Sequence, residues 1–277
     1  MSTRPFLSIG FILATSSTCL AGLSDFVVMS DEGHLLRVNG ETLEASLVAD
    51  LDITGDPSRK IELEYISDSQ IYVKHDGGLS QYNASTSSLD SIFTQSELGD
   101  HPDITFGRYI GMLQTSDRRI LGNAPRIVPG KGIVRVGVQV DTHTNLWDTS
   151  SQLVDVASSL DMQMFGANQF VNINGDHLIS VHNFNSSEFL SDFWIDNQDP
   201  FNPFYAVSIF ESDGQLLVID PNGEIYSIDP ANSTYARYGQ ITGIDGLYLH
   251  AASTVPTPSS IAPLAITLLA SRGRRSS

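Results

Sequence analysis

The chain has 277 residues, of which 41% are hydrophobic and 17% charged, which is enough for one large domain or two small ones with a real core. All 32 acidic residues but only 11 of the 15 basic residues lie between residues 22 and 254, so this body carries a net charge of −21. Such a surface repels nucleic acid and anionic membrane, and both are excluded as partners of the body.

The first 21 residues have the features of a secretory signal peptide. Arg4 precedes a short apolar stretch, and small residues then lead to Ala21, which fits signal peptidase cleavage between Ala21 and Gly22. We therefore expect residues 1–21 to be removed and the protein to be exported. A buried N-terminal strand and an uncleaved anchor are the alternatives. Removal would also take away Cys19, the only cysteine, and with it disulfide and thiolate chemistry.

Three stretches of the body, beginning at Phe26, Ile71 and Leu216, share one pattern. Each has an apolar strand, a tight turn with glycine, a second strand ending in Asn or Asp, and a third strand after a polar turn. Gly and Asn accept the positive φ that such hairpin turns need. The glycines are Gly33, Gly77 and Gly223, and the strand-ending residues are Asn39, Asn83 and Asp229. Weaker copies begin near Tyr109 and Leu178.

A unit of about 40 residues with three or four strands is typical of a β-propeller blade. We predict an all-β fold in which residues 22–250 form a propeller of about five to six blades. The alternative is a β-sandwich or an irregular β structure, since any antiparallel protein contains hairpins. The segment GEIYSIDPANST, residues 223–234, resembles the repeat unit of PQQ-like and YVTN-type β-propellers.

The chain ends in three consecutive parts. Residues 251–260 read as a linker that contains the motif Val255-Pro256-Thr257-Pro258, in which the prolines favour an extended strip. Residues 261–277 hold a short hydrophobic helix and a basic tail with Arg272, Arg274 and Arg275. Ten apolar residues make a helix of about 15 Å, whereas a bilayer core is about 30 Å thick, so this segment anchors weakly. The arginines should stay on the cytoplasmic side.

This C-terminal arrangement resembles the PEP-CTERM sorting signal of exported bacterial proteins. Val255, Pro256 and Pro258 match the Val-Pro-Glu-Pro motif of that signal, while Thr257 replaces its Glu. The resemblance implies processing by an exosortase-type membrane enzyme in a Gram-negative-type envelope. It also implies transient anchoring in the inner membrane and an association with exopolysaccharide. A plain C-terminal anchor is the alternative.

No catalytic residue is assigned from the sequence. The chain lacks the motifs of serine hydrolases, phosphate loops, dinucleotide loops and zinc proteases. The segment from Asp50 to Asp56 begins like a calcium loop, but Ile61 stands where an EF-hand needs a bidentate Glu. We therefore expect no cofactor or metal, with a looser calcium site as the open alternative.

The stretch from Glu188 to Tyr205 interleaves aromatic residues with Asp and Asn. Aromatic faces beside polar groups can bind sugar rings. The candidate ligand-binding residues are Phe193, Trp194, Asp196, Asp199 and Tyr205. The alternative is that these aromatic rings pack a long insertion against its blade.

Two functions remain open at this stage. The first is an exported envelope or matrix protein with a binding or structural role, sorted by an exosortase-type system. The second is a secreted propeller enzyme, a hydrolase or lyase acting on carbohydrate or a lactone. Inward-facing acidic residues around the axis, together with a bound cation, would favour the second.

Overall fold

The computed structural model describes residues 22–51, 53, 61–75, 78–102, 104, 110–115, 119–150, 161–165, 168–174, 178–186, 188–195 and 205–255. Among these residues the chain forms five four-stranded antiparallel sheets and one short helix, α1 (Gln95–Gly99). One edge strand of each sheet contacts the corresponding edge strands of the sheets on either side. The five sheets therefore surround a common axis as blades, with these edge strands innermost. The protein is a five-bladed β-propeller, as the sequence predicts.

Each blade is described from its innermost strand outward. Blade 1 consists of β20 (Leu249–Thr254), β1 (Phe26–Ser30), β2 (His34–Val38) and β3 (Ala45–Asp50). Blade 2 consists of β4 (Glu62–Ser67), β5 (Gln70–His75), β6 (Gly78–Asn83) and β7 (Ser88–Phe93). Blade 3 consists of β8 (Ile110–Gln114), β9 (Arg119–Val128), β10 (Gly132–Asp141) and β11 (Trp147–Ser150). Blade 4 consists of β12 (Asp161–Phe165), β13 (Gln169–Asn174), β14 (Leu178–Asn183) and β15 (Phe189–Trp194). Blade 5 consists of β16 (Ser208–Ser212), β17 (Gln215–Ile219), β18 (Glu224–Asp229) and β19 (Thr234–Gln240).

The ring is closed by the C-terminal end of the body. Strand β20 pairs antiparallel with β1, which places Thr254 opposite Phe26 and Ala252 opposite Val28. The sequence analysis ends the propeller at residue 250 and begins a linker at 251. In the structure, 251–254 instead belong to the innermost strand of blade 1, because small residues fit the crowded axis: Ala251 and Ala252 are buried between neighbouring blades.

One turn recurs at the end of the third strand of every blade in the described part of the chain. In each, an Asn or Asp side chain accepts the backbone N–H of the residue two positions on, a local hydrogen bond that Asx residues favour. These residues are Asn39, Asn83, Asp141, Asn183 and Asp229. Four of the turns have a described residue four positions on, and in each it has a positive φ of 51° to 57°.

Glycine is required at two of the predicted hairpins. Gly33 has a φ of +86°, and a Cβ there would lie 2.2 Å from the carbonyl oxygen of Leu51. Gly223 has a φ of +83°, and a Cβ there would lie 2.7 Å from a side-chain carbon of Ile244. Both turns therefore exclude larger residues. Gly77 lies outside the described residues.

The core lies between blades rather than within them. Blades 5 and 1, for example, are joined by a cluster in which the rings of Phe26 and Phe210 stack with centroids 4.9 Å apart. At the junction of blades 3 and 4 the cluster among the described residues is smaller and consists of Leu121, Met162 and Phe170. Since blades bury each other's faces, no blade is stable by itself.

Candidate functional site

The innermost strands carry polar side chains to the axis. Glu62 and Glu64 are two residues apart on β4 and therefore project from the same face. Asp161 on β12, Ser208 on β16 and Ser253 on β20 complete the group, and all five are buried. None of these residues was predicted as a site, because the three clear repeats of the sequence begin at the second strand of blades 1, 2 and 5.

The group includes side chains that bind the backbone of the next blade. Ser253 Oγ of blade 1 accepts the Tyr65 N–H of blade 2 at 2.9 Å. Glu64 Oε1 of blade 2 accepts the Gln114 N–H of blade 3 at 3.1 Å. The innermost strand is the edge of its sheet, and its unpaired N–H groups need acceptors. Polar axial side chains supply them.

The same arrangement joins blades 4, 5 and 1. Asp161 Oδ2 of blade 4 accepts the Ile209 N–H of blade 5 at 2.8 Å and also the hydroxyl of Ser208. Ser208 Oγ in turn accepts the Ala252 N–H of blade 1 at 2.9 Å. Side-chain-to-backbone hydrogen bonds thus link the inner strands at four blade junctions within the described residues. At two of these junctions the acceptor is a carboxyl group, that of Glu64 or of Asp161.

Several charged groups lie close together at the axis. The Nζ of Lys74 is paired with the carboxylate of Glu62, and both groups are almost fully buried. Burial, and then repulsion from Asp161, hold the pKa of Glu64 well above its usual range. Burial, and then repulsion from Glu62, raise the pKa of Asp161 in the same way. These carboxyl groups therefore retain protons at a higher pH than exposed ones do.

A cavity of about 310 Å³ opens where the innermost strands end. All five innermost strands contribute to its wall, so it lies on the axis. Its lining residues are Ser24, Glu64, Tyr65, Gln114, Gln163, Glu211, Asp213, Ser253 and Thr254. The lining of this cavity is rich in hydrogen-bond acceptors. No three His, Asp or Glu side chains of the described residues are grouped so as to hold a metal ion.

The predicted aromatic site is divided by the fold. Phe193 is buried in the core between blades 4 and 5 and presents no ring to solvent. Trp194, next to it on β15, projects from the opposite face and is 60% exposed, and Tyr205 is 50% exposed. Asp196 and Asp199 lie outside the described residues. Of the five candidates, Trp194 and Tyr205 present exposed rings to a ligand.

Most of the predicted terminal signals also lie outside the described residues. They include Ala21, Pro256, Thr257, Pro258, Arg272, Arg274 and Arg275. Gly22 is exposed at the start of the body, whereas Val255 is buried and its N–H donates to the Asp25 carbonyl at 2.9 Å. Within the part of the chain that the structure describes, no helix has the length and apolarity needed to cross a membrane.

No protein-family model and no curated protein matches the chain. Among solved structures it is similar to the glutaminyl cyclase of Myxococcus xanthus, with a TM-score of 0.44 and 9% identity over 79% of this chain and 76% of that one. It is also similar to U3-55K, with a TM-score of 0.40 and 10% identity over 66% of this chain and 53% of that one. For the WD40 repeats of RRP9 the TM-score is 0.39, with 10% identity over 66% of this chain and 52% of that one. The chain thus spans about half of each of the last two. The assignment as a propeller rests on the five sheets themselves.

Proposed function

We propose that this protein is an exported, envelope- or matrix-associated β-propeller that acts by binding or as a structural component. The proposed binding or structural role is supported by the hydrogen bonds that two acidic residues at the axis make between blades. Glu64 and Asp161 each accept a backbone N–H of the neighbouring blade, so they hold the ring together. An acid used in this way is not placed as one half of an acid–base pair acting on a substrate.

We further propose that the protein is delivered by its two ends. The signal peptide directs export with cleavage before Gly22, and the Val255–Pro258 strip is processed by an exosortase-type enzyme while the C-terminal segment is transiently in the inner membrane. The strip begins directly after the closing strand β20, and the backbone N–H of its first residue, Val255, donates a hydrogen bond to the Asp25 carbonyl. The processing enzyme would therefore act close to the axial cavity of the propeller, which Thr254 lines. Exopolysaccharide is the proposed partner outside the cell.

Mass spectrometry of both termini tests this delivery in a Gram-negative host that has an exosortase. The exported protein should begin at Gly22 and lack the arginine-rich tail. Replacing Pro256 and Pro258 by Ala should block processing, and replacing Arg272, Arg274 and Arg275 by Gln should weaken membrane retention. A double proline variant that is processed and released like the wild type would reduce the sorting signal to a plain anchor.

The second candidate is an enzyme acting on carbohydrate or a lactone. It is favoured by the raised pKa values of Glu64 and Asp161 and by the place of Glu64 in the wall of the axial cavity, because a carboxyl group that keeps its proton to a higher pH than usual can act as a general acid. Assays with nitrophenyl glycosides and with dihydrocoumarin as the lactone separate the two functions. Hydrolysis that is lost in both Glu64→Gln and Asp161→Asn, while the fold is retained, would favour the enzyme.

A further inference from the structure

The five turns at the ends of the third strands give a common reference point for comparing blades. The residue three positions before the Asn or Asp of the turn faces the preceding blade. In blades 1, 3 and 5 this residue is Leu36, Val138 or Tyr226, each buried and in contact with the preceding blade's core. In blades 2 and 4 it is a buried serine, Ser80 and Ser180 respectively. A small polar side chain thus stands where three other blades place a large apolar one.

The same exchange is made on the neighbouring strand. Ser80 is paired across the sheet with Ser91 on the outermost strand, whereas Leu36 of blade 1 is paired with Leu47. Two serines therefore replace two leucines on the face of blade 2 that is turned toward blade 1. Blade 4 instead pairs Ser180 with Asp192. The two serines of blade 2 border a groove of about 590 Å³, which Asp50 of blade 1 also lines. Ligand pockets are commonly of this size, roughly 300–1,000 Å³.

The groove has a fixed polar wall and an apolar floor. Ser80 is 4% exposed, and its Oγ is hydrogen-bonded to His75 Nε2 at 2.9 Å, which sets the position of both groups. The hydroxyls of Ser88, Ser91 and Thr94 also line the groove, and Leu89 and Phe93 supply carbon surface. Hydroxyl groups both donate and accept hydrogen bonds, so this wall suits a partner that does the same.

The charges of the lining argue against an ionic ligand. No Lys or Arg is among the described residues that line the groove, so they place no permanent positive charge in it. Asp50 is its one carboxylate among them, and Asp50 Oδ1 already lies 3.9 Å from Nε2 of His34. A neutral molecule with many hydroxyl groups and a carbon-rich face is complementary to such a surface.

We propose that the groove between blades 1 and 2 binds a neutral saccharide of one or two sugar units. The inference rests on the proposed binding role and assigns to it a ligand class and a place. The sugar hydroxyls would hydrogen-bond to Ser80, Ser91 and His75, and one face of the ring would lie against Leu89.

Saturation-transfer NMR on residues 22–255 tests the site, with glucose, galactose, mannose, cellobiose and maltose as probes. We expect at least one probe to bind, and Ser91→Trp, which fills the groove, to weaken that binding at least tenfold. Ser80→Val, which installs the residue type that blade 3 carries at this position, should weaken it while keeping the fold. Leu47→Trp is the matched control, because Leu47 occupies the position of Ser91 in blade 1 and is 61% exposed there; it should leave binding unchanged.

The outcomes are distinguishable from those of the proposed function. If no probe binds, or if Ser91→Trp and Leu47→Trp bind alike, the saccharide groove is refuted. Correct termini and localisation of the exported protein would in that case leave the proposed function standing. Conversely, saccharide binding at the groove by a protein that is not exported would refute the proposed delivery and keep the groove.

Discussion

Removing the closing strand should unfold the propeller, whereas removing only the residues beyond it should not. A chain ending at His250 loses four of the five residue pairs that join β20 to β1. At about 1 kcal/mol for each backbone hydrogen bond, this costs about 4 kcal/mol. Loss of the buried Val255 side chain costs about 2 kcal/mol more. The total is a large part of the roughly 5–15 kcal/mol that stabilises a typical domain.

The experiment compares residues 22–250 with residues 22–255 in urea, followed by circular dichroism in the far ultraviolet. The longer chain should unfold cooperatively, and the shorter one should show no folded baseline or a midpoint far below that of the longer one. Far-ultraviolet spectra and midpoints that are the same for both chains would refute the reasoning, because they would mean that β1 can serve as the innermost strand of blade 1 without β20.

Three further perturbations follow from the structure. Asp161→Asn and Glu64→Gln should flatten the pH dependence of stability. Because the pKa values of both groups are raised in the folded state, the free energy of unfolding of the wild type falls as pH rises from about 4 through the raised values. Urea midpoints at pH 5 and pH 8 measure this difference. Gly40→Ala should destabilise by about 1–3 kcal/mol, because its Cβ would lie 2.0 Å from the Leu23 carbonyl oxygen, and an unchanged melting temperature would contradict this. Asn39→Ala should cost about 1 kcal/mol by removing the acceptor of two backbone N–H groups, as read from the urea midpoint.

Matched variants separate these effects from general damage. Gly246→Ala adds a Cβ with no atom within 4 Å, so it causes no clash, but its φ of +81° strains an alanine by about 1 kcal/mol; it therefore measures backbone strain without the contact that Gly40→Ala creates. Asp245→Asn changes an exposed acid away from the axis and should leave the pH dependence as it is in the wild type. A steep pH dependence that persists in both axial variants would show that Glu64 and Asp161 do not cause it.

The repeats that the sequence revealed are those with two local signals, a glycine in the first turn and an Asx residue at the end of the next strand. Both signals come from short-range backbone geometry, which a sequence displays directly. Blades 3 and 4 keep the Asx turn at Asp141 and Asn183. In blades 1, 2 and 5 a glycine stands six residues before the Asx residue, whereas the sequence has Arg135 and His177 at that spacing in blades 3 and 4, so their copies of the pattern were weak.

The innermost strands were missed for a different physical reason. Strand β4 begins with Glu62, Leu63 and Glu64, and β20 contains Ala251, Ala252 and Ser253, sequences that read as a charged surface and a linker. Their polar residues are buried because the ring brings unpaired N–H groups of another blade to them. The need for acceptors at these positions arises only when the five sheets assemble, so no local sequence pattern indicates that these polar residues are buried.

The closing strand also sets the order in which the molecule can be completed. Three strands of blade 1 are synthesised before the other four blades, and the fourth strand, β20, is synthesised after them. Until then β1 presents an open edge, which is a template for pairing with another chain. Contacts between residues so distant along the chain form slowly. The pairing of β20 with β1 should therefore be the last step of folding. A chain in which this pairing is not yet complete would be exposed to aggregation through the open edge of blade 1.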